Sequence, residues 1–125
     1  MPNSAVLALL LVAPCLVACQ QGAEIRIEQK DGVTSFDVVR IRADKPACIH
    51  DLSVYEGNPD GKPPMWNIVA SEGAPCVTHV EFPKVPAGFS QDDGTPALKL
   101  KPGQSYHVEA SGGPGWIAFN AFTAR

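Results

Sequence analysis

Three histidines are the side chains of this sequence best suited to bind a metal ion, because zinc accepts imidazole ligands in catalytic sites. They are His50, His79 and His107. No two of them form a His-x-His pair, and none follows a glutamate in a Glu-x-x-His pair. Each falls within a stretch that alternates like a β-strand, and His79 and His107 lie on its polar side. The spacing therefore predicts no metal site and no cofactor.

The serines and acidic residues offer no better catalytic site. A Ser-His-Asp triad could use Ser53, Ser71 or Ser90, but the sequence has no Gly-x-Ser-x-Gly motif to expose such a nucleophile. The acidic turns at residues 58–61 and 92–94 lack the alternating oxygen ligands and terminal glutamate of a calcium loop. Glycine-rich phosphate loops and basic, aromatic surfaces are also missing. The sequence predicts no catalytic residue, no enzyme activity, no nucleic-acid partner and no small-molecule substrate.

An apolar run precedes a cysteine near the N-terminus. The run covers residues 5–18, and no charged side chain occurs before Glu24. It is 14 residues long with Pro14 inside it, whereas a transmembrane helix needs roughly 20 apolar residues. Residues 1–4 lack the Lys or Arg with which a signal peptide usually begins. An ordinary cleaved secretory signal and an uncleaved anchor are two interpretations of this run.

A third interpretation rests on the four residues that close the run, Leu16-Val17-Ala18-Cys19. They resemble the lipobox of bacterial lipoproteins, in which a lipid is attached to the cysteine thiol and a peptidase cuts just before it. The resemblance implies a lipoprotein signal peptide at residues 1–18, a lipidated tether at 19–23 and a single domain at 24–125. Because Gln20 rather than aspartate follows Cys19, the sorting rules of that family imply the periplasmic face of a Gram-negative outer membrane. The lipid on Cys19 would make the membrane its first partner.

The part beyond the signal is small and mildly acidic. Cleavage before Cys19 leaves 107 of the 125 residues, enough for one domain with one hydrophobic core but not for two. The formal charge of -3 lies entirely in this part. A charge this low does not indicate a nucleic-acid or polybasic membrane-binding surface.

Cys48 and Cys76 are the cysteines that remain beyond Cys19. Outside the cytoplasm, such a pair is more often bonded than reduced. The two residues are 28 apart, and closing a loop of that length stabilises a fold by roughly 3 to 4 kcal/mol on the chain-entropy estimate. A disulfide is therefore predicted, and two buried free thiols are the alternative.

Prolines punctuate the rest of the chain. Ten of the twelve lie beyond Cys19, and because proline inside a helix costs about 3 kcal/mol, long helices are not expected after Pro46. Short alternating runs rich in β-branched and aromatic residues lie between the prolines and predict strands. The seven expected strands are at residues 23–29, 34–42, 47–55, 65–70, 76–82, 106–110 and 116–122. This pattern is typical of an all-β sandwich.

The alternation within these strands predicts which side chains face the core. In the third strand, one face carries Cys48, His50, Leu52 and Val54. In the fifth strand, Cys76 begins the corresponding inward face. Both cysteines are therefore expected to open a strand on its inner side.

Other positions in the strands give further expectations. Trp66 and Ile68 of the fourth strand are expected to point inward. Both tryptophans are expected to belong to the core rather than to a ligand-binding surface, and the Gly-Gly-Pro-Gly stretch before Trp116 makes it the more exposed of the two. In the second strand, Phe36 and Val38 are out of phase with Val39 and Ile41. That change of phase favours a β-bulge over burial of both faces. Phe89, in the proline-rich passage 83–96, is expected to close one end of the core.

A turn near the C-terminus carries a second resemblance. Residues 98–108 contain a leucine, the turn Pro102-Gly103 and, four residues after the proline, Tyr106. They resemble the corner of immunoglobulin-like and fibronectin type III domains, in which the tyrosine hydroxyl bonds back to the main chain. The resemblance implies a buried Tyr106 ring and an immunoglobulin-like sandwich of about seven strands. In immunoglobulin domains, however, the cysteines pin the sheets centrally around the tryptophan, whereas Cys48 and Cys76 are expected to open strands.

The whole pattern also resembles small lipoproteins of Gram-negative bacteria, on the paired cysteines with Trp66 between them, Pro-Ala-Gly-Phe and the Tyr106 corner. That resemblance implies a fold and a location but no activity. The function expected is a structural or protein-interaction module that binds an envelope protein. The alternative is an inhibitor or immunity-type lipoprotein that blocks a wall-degrading enzyme with a loop such as 58–64 or 92–96. An enzyme or metal protein is the third and least favoured class.

Overall fold

The structure is a computed structural model, which describes residues 22–42, 44–92, 99–113 and 115–125. The predicted signal peptide, Cys19 and most of the acidic turn at 92–94 lie outside the described residues. Eight strands are present: β1 (Ala23–Lys30), β2 (Val33–Arg40), β3 (Asp51–Glu56), β4 (Trp66–Ala70), β5 (His79–Phe82), β6 (Phe89–Gln91), β7 (Ser105–Ser111) and β8 (Ile117–Thr123). No part of these described ranges forms a helix long and apolar enough to cross a membrane.

The strands form two antiparallel sheets that pack as a sandwich. The smaller sheet has the order β1-β2-β5, and the larger has the order β6-β4-β3-β7-β8. The predicted all-β sandwich is confirmed, and each of the seven expected strands overlaps an observed one. The eighth strand, β6, was not expected. It lies in the proline-rich passage and pairs with β4 from Phe89 to Gln91.

The core lies between the two sheets and is formed by the inward-facing side chains that alternate with outward-facing ones along each strand. Ile25 and Phe36 enter it from the smaller sheet, while Leu52 and Trp66 enter it from the larger one. Trp66 lies edge-on to Phe82 of the opposite sheet, with ring centroids 5.0 Å apart. Trp66 and Ile68 are buried as predicted, and Phe89 packs partly buried against this core.

The bulge expected in the second strand is wrong. β2 pairs residue for residue with β1 from Val33 to Arg40, and it pairs without interruption with β5. Phe36 and Val38 are buried, whereas Ile41 lies beyond the strand end and is exposed. Val39 lies inside the strand as a half-buried residue of its outer face, so the change of phase reflects no extra residue.

The strand register defines two ends of the sandwich. At the proximal end, Gly22 bridges to Ile117, and its carbonyl oxygen accepts a hydrogen bond of 3.0 Å from the Ile41 amide. Asp51 lies at the same end, because it pairs with the last residue of β7, Ser111. The distal end carries the β1–β2 turn and the long loop 57–65 after β3. Strand β1 therefore begins at the end opposite that loop.

The tyrosine corner lies at the distal end, where the turn Pro102-Gly103 leads into the start of β7. The Tyr106 ring is 1% exposed, and its hydroxyl oxygen accepts a hydrogen bond of 2.8 Å from the Lys101 amide. The ring stacks on Phe122 of β8 with centroids 5.5 Å apart. The buried ring and the upstream backbone partner match the prediction.

Candidate functional site

The predicted disulfide joins Cys48 to Cys76, with the two Cα atoms 4.8 Å apart. Both residues are exposed and lie in irregular segments before β3 and β5, so the expectation that they open strands on the inner side is wrong. The inward positions beside Cys48 belong instead to Ala47 and Ile49. The Ile49 amide also donates a hydrogen bond of 2.8 Å to the carbonyl oxygen of Val77. The bridge thus connects the leaders of two strands in different sheets at the proximal end.

Trp116 is buried in the core, as expected of both tryptophans, with 7% of its surface exposed. The reason is Gly112, because a Cβ atom at that position would lie 2.0 Å from the indole nitrogen of Trp116. A residue without a side chain therefore leaves room for the ring. Both tryptophans belong to the core rather than to a ligand-binding surface.

The three histidines are dispersed. His50 is exposed rather than inward, because the alternation changes phase between Ile49 and Leu52. His79 lies 3.8 Å from Asp37 on the outer face of the smaller sheet, whereas His107 contacts the carbonyl oxygen of Gly57 at the larger sheet. Among the residues that the structure describes, no three His, Cys, Asp or Glu side chains are grouped for metal binding.

The outer face of the larger sheet, called the open face below, is the best candidate for a binding site. Its side chains are Asp51, Ser53 and Tyr55 of β3, Asn67 and Val69 of β4, Ser90 of β6, Ser105, His107, Glu109 and Ser111 of β7, and Ile117, Phe119, Ala121 and Thr123 of β8. The register aligns them in rows across the strands. One row contains Asn67, Ser53, Glu109 and Phe119, each directly opposite the next.

A hydrogen-bonded cluster occupies the middle of the open face. The Asn67 amide nitrogen donates to the Asp51 carboxylate at 3.0 Å and to the Ser53 hydroxyl at 2.8 Å. The Ser53 hydroxyl donates to the same Asp51 oxygen at 3.4 Å. These neighbours cover Ser53 so well that it is 7% exposed although it faces outward. The cluster is therefore held in one arrangement, and a ligand would not have to order it.

Tyr55 and Glu109 lie beside this cluster. The Tyr55 hydroxyl interacts with the side chains of both Ser53 and Glu109. Partial burial, followed by the negative charge of Glu109, raises the pKa of that hydroxyl. A depression of about 280 Å³ runs along these residues and reaches Ile117. Its volume is just below the range of small-molecule pockets, so it suits one side chain better than a drug-sized ligand.

The charge of the open face is one-sided. Within the described strands, none of the five in the larger sheet contains Lys or Arg, although they contain Asp51, Glu56 and Glu109. Glu56 lies 3.8 Å from Lys101 at the distal end, but no described basic side chain forms an ion pair with Asp51 or Glu109. The outer face of the smaller sheet is different, because it mixes charges such as the Glu24–Arg26 pair.

Two large apolar side chains of β8 lie on the open face near the polar cluster. Ile117 is 41% exposed and Phe119 is 43% exposed. They are two residues apart on one strand, so they point to the same side of the sheet. Exposed apolar side chains next to ordered polar groups are typical of the centre of a protein-binding surface. The open face is therefore a candidate docking surface.

The open face is not evident from the sequence alone. The alternation predicts that Ser53 and Asn67 point outward, but only the strand register places Asn67, Ser53, Glu109 and Phe119 side by side. The absence of Lys and Arg from the five strands is the one signal that could have indicated it.

No family model matches this sequence, and a search of the curated proteins also finds no match.

Proposed function

We propose that this protein is a lipid-anchored envelope protein whose β-sandwich binds another protein through the open face and catalyses no reaction. The observation that carries the binding role is the exposure of Ile117 and Phe119 beside an ordered polar cluster. An aromatic side chain such as Phe119 supplies a large contact area when a partner covers it.

The anchor is supported by two features that do not depend on the open face. Residues 16–19 carry the lipobox pattern, and the first strand, β1, begins at Ala23, four residues after Cys19. An exposed disulfide between Cys48 and Cys76 suits an oxidising compartment outside the cytoplasm. The proposed location is the periplasmic face of the outer membrane.

The binding role is tested by cross-linking in the native envelope, followed by purification of the protein with its partners. Phe119→Ser should remove the partner because it takes away an exposed aromatic contact. Val85→Ser is the matched control, since Val85 is 38% exposed but lies outside the open face. Recovery of the same partners from both variants would contradict binding through the open face.

The anchor has its own test. Mass spectrometry of the N-terminal peptide should show lipid on Cys19, and Cys19→Ser should leave the membrane fraction. An unmodified N-terminus, together with a Cys19→Ser variant that still sediments with membranes, would refute the anchor and leave the binding role standing.

An inhibitor of a wall-degrading enzyme is the second candidate, because the distal loop is held in shape. The Lys62 amide donates to the carbonyl oxygen of Pro59 at 3.1 Å, and the Asp60 amide donates to the Asn58 side chain at 3.4 Å. The Met65 amide, at the end of the loop, donates to the Val54 carbonyl oxygen at 2.8 Å. A loop that is already ordered loses little entropy when it enters an active site.

Binding through the open face and inhibition through the distal loop are distinguished by which variant no longer co-purifies with the partner. An inhibitor should co-purify with a cell-wall hydrolase and lose it on Asp60→Ala combined with Lys62→Ala, while Phe119→Ser has no effect. Loss on Phe119→Ser alone would exclude inhibition through the distal loop.

A further inference from the structure

The carboxylate of Glu109 has unusual neighbours on the open face. Phe119 lies directly opposite it on β8, and Ser53 lies directly opposite it on β3. Tyr55 is the diagonal neighbour on β3, and its side chain lines the same depression as Glu109. An acidic group is thus placed between two aromatic side chains on a sheet surface.

Among the described residues, no Lys, Arg or His side chain forms an ion pair with this carboxylate. The five strands of the larger sheet contain no Lys or Arg. The described ion pairs that involve Lys or Arg use other acids, as in the Arg26–Glu24 and Lys84–Glu81 pairs. A cation on a partner would therefore meet a complementary charge without displacing an internal one.

The aromatic neighbours favour arginine over lysine. A guanidinium group is planar, is less strongly hydrated than an ammonium group and stacks on aromatic rings while it bonds to a carboxylate. A lysine would use the charge of Glu109 but would gain less from the rings. The depression of about 280 Å³ beside Tyr55 and Glu109 is of a size for one such side chain.

We propose that the open face binds an arginine side chain of a partner protein, with the guanidinium group against Glu109 and between the rings of Tyr55 and Phe119. This inference rests on the proposed protein-binding function and specifies the chemistry of the partner. Asp51 adds negative charge at the next row, although its carboxylate already accepts hydrogen bonds from Asn67 and Ser53.

The probe for this site is capped arginine, N-acetyl-arginine N-methylamide, titrated into isotope-labelled protein and followed by backbone amide NMR. Saturable shifts are expected at Ser53, Tyr55, Glu109 and Phe119. The capped citrulline analogue has nearly the same shape but no charge, and it should bind at least about tenfold more weakly, because hydrogen bonds to charged groups are the stronger ones.

Variants locate the site. Glu109→Gln should weaken the capped arginine by about tenfold or more, whereas Glu28→Gln should not change it. Glu28 is the matched control because it is an exposed acid on the outer face of the other sheet, without a described ion pair. Equal binding of citrulline, shifts that survive Glu109→Gln, or no shift at these four residues would each overturn the inference.

Two further results keep this inference distinct from the proposed function. If cross-linked partners are lost on Phe119→Ser but capped arginine causes no NMR shifts, the binding role is supported and the arginine site is refuted. A homodimer that separates on Glu109→Gln in analytical ultracentrifugation would make the occupant a second copy of this chain and would overturn the proposal of a different partner.

Discussion

Gly112 should tolerate no side chain, and alanine is the smallest test of that expectation. A Cβ atom at this position would lie 2.0 Å from the Nε1 atom of Trp116 and 2.3 Å from its Cε2 atom. Real Cβ atoms essentially never come within 3.0 Å of a heavy atom outside their own residue and its two chain neighbours. The indole cannot move inward because it is already packed in the core.

Two responses to Gly112→Ala are available, and both reduce stability. If the Trp116 ring moves out, it gives up the burial of a large side chain, which is worth roughly 1.5 to 3 kcal/mol. If the turn moves instead, it strains or breaks the 3.2 Å hydrogen bond from the Gly112 amide to the Trp116 carbonyl oxygen, at about 1 kcal/mol plus the strain of overpacking. The expected loss is therefore about 2 to 3 kcal/mol.

Urea melts followed by circular dichroism give this loss, and tryptophan fluorescence reports whether the Trp116 ring has moved. Gly115→Ala is the matched control in the same turn, because the nearest atom to its Cβ would be 3.7 Å away. It should be neutral or slightly stabilising, since alanine reduces the entropy of the unfolded chain. If Gly112→Ala proves as stable as Gly115→Ala with unchanged fluorescence, the packing described for Trp116 is wrong.

Three other predictions concern the corner, the disulfide and the open face. Tyr106→Phe should lower the free energy of unfolding by about 1 kcal/mol, because the hydrogen bond from the Lys101 amide is lost. Ser105→Ala, at an exposed position, should change it by no more than about 0.5 kcal/mol. Equal urea midpoints for the two variants would contradict the corner. Cys48→Ser should cost roughly 2 to 5 kcal/mol, and two reactive thiols in denatured parent protein would show that the bridge is absent. The raised pKa of Tyr55 means that the folded state favours its neutral hydroxyl. The resulting contribution of Tyr55 to the free energy of unfolding is complete below the unfolded pKa of about 10, and it is lost as the pH rises through the folded pKa. Melts on both sides of about pH 10 should therefore show a steeper loss for the parent than for Tyr55→Phe, and parallel losses would refute the assignment.

The fold was predictable where side-chain alternation and turn chemistry agree. Ile25 and Ile27 alternate with charged residues along β1, and a Pro-Gly turn followed by Tyr106 is a strong local signal. Those features locate the strands and the corner before any pairing is known. The disulfide was predictable from the number of cysteines, since only Cys48 and Cys76 lie beyond Cys19.

The errors arose where a strict period of two was extended past the end of a strand. Ile49 and Leu52 are both buried although they are three residues apart, so counting back by twos from Val54 selected Cys48 and His50 as inward. The burial of Trp116 depends on the missing side chain of Gly112, which no periodicity reveals.

The open face could not be predicted because it depends on pairing between distant strands. Asn67 and Phe119 belong to one row only because β3 and β7 lie between their strands. The short strand β6 is also specified by its partner β4 rather than by its own three residues. The sequence shows which residue types are available for the site, but the register between strands determines which of them lie side by side.

The separation of the two ends of the sandwich sets the directions from which partners can arrive. The chain leads into the domain at Gly22, and the loop 57–65 lies at the other end of strands such as β7, whose seven residues extend about 23 Å at roughly 3.3 Å each. If the proposed lipid anchor on Cys19 is present, the distal loop lies at the end of the domain farther from the anchored end of the chain. The open face runs along the same axis and looks sideways. A partner of the open face would therefore approach laterally, as a neighbour in the same membrane does, while a partner of the loop would approach from above.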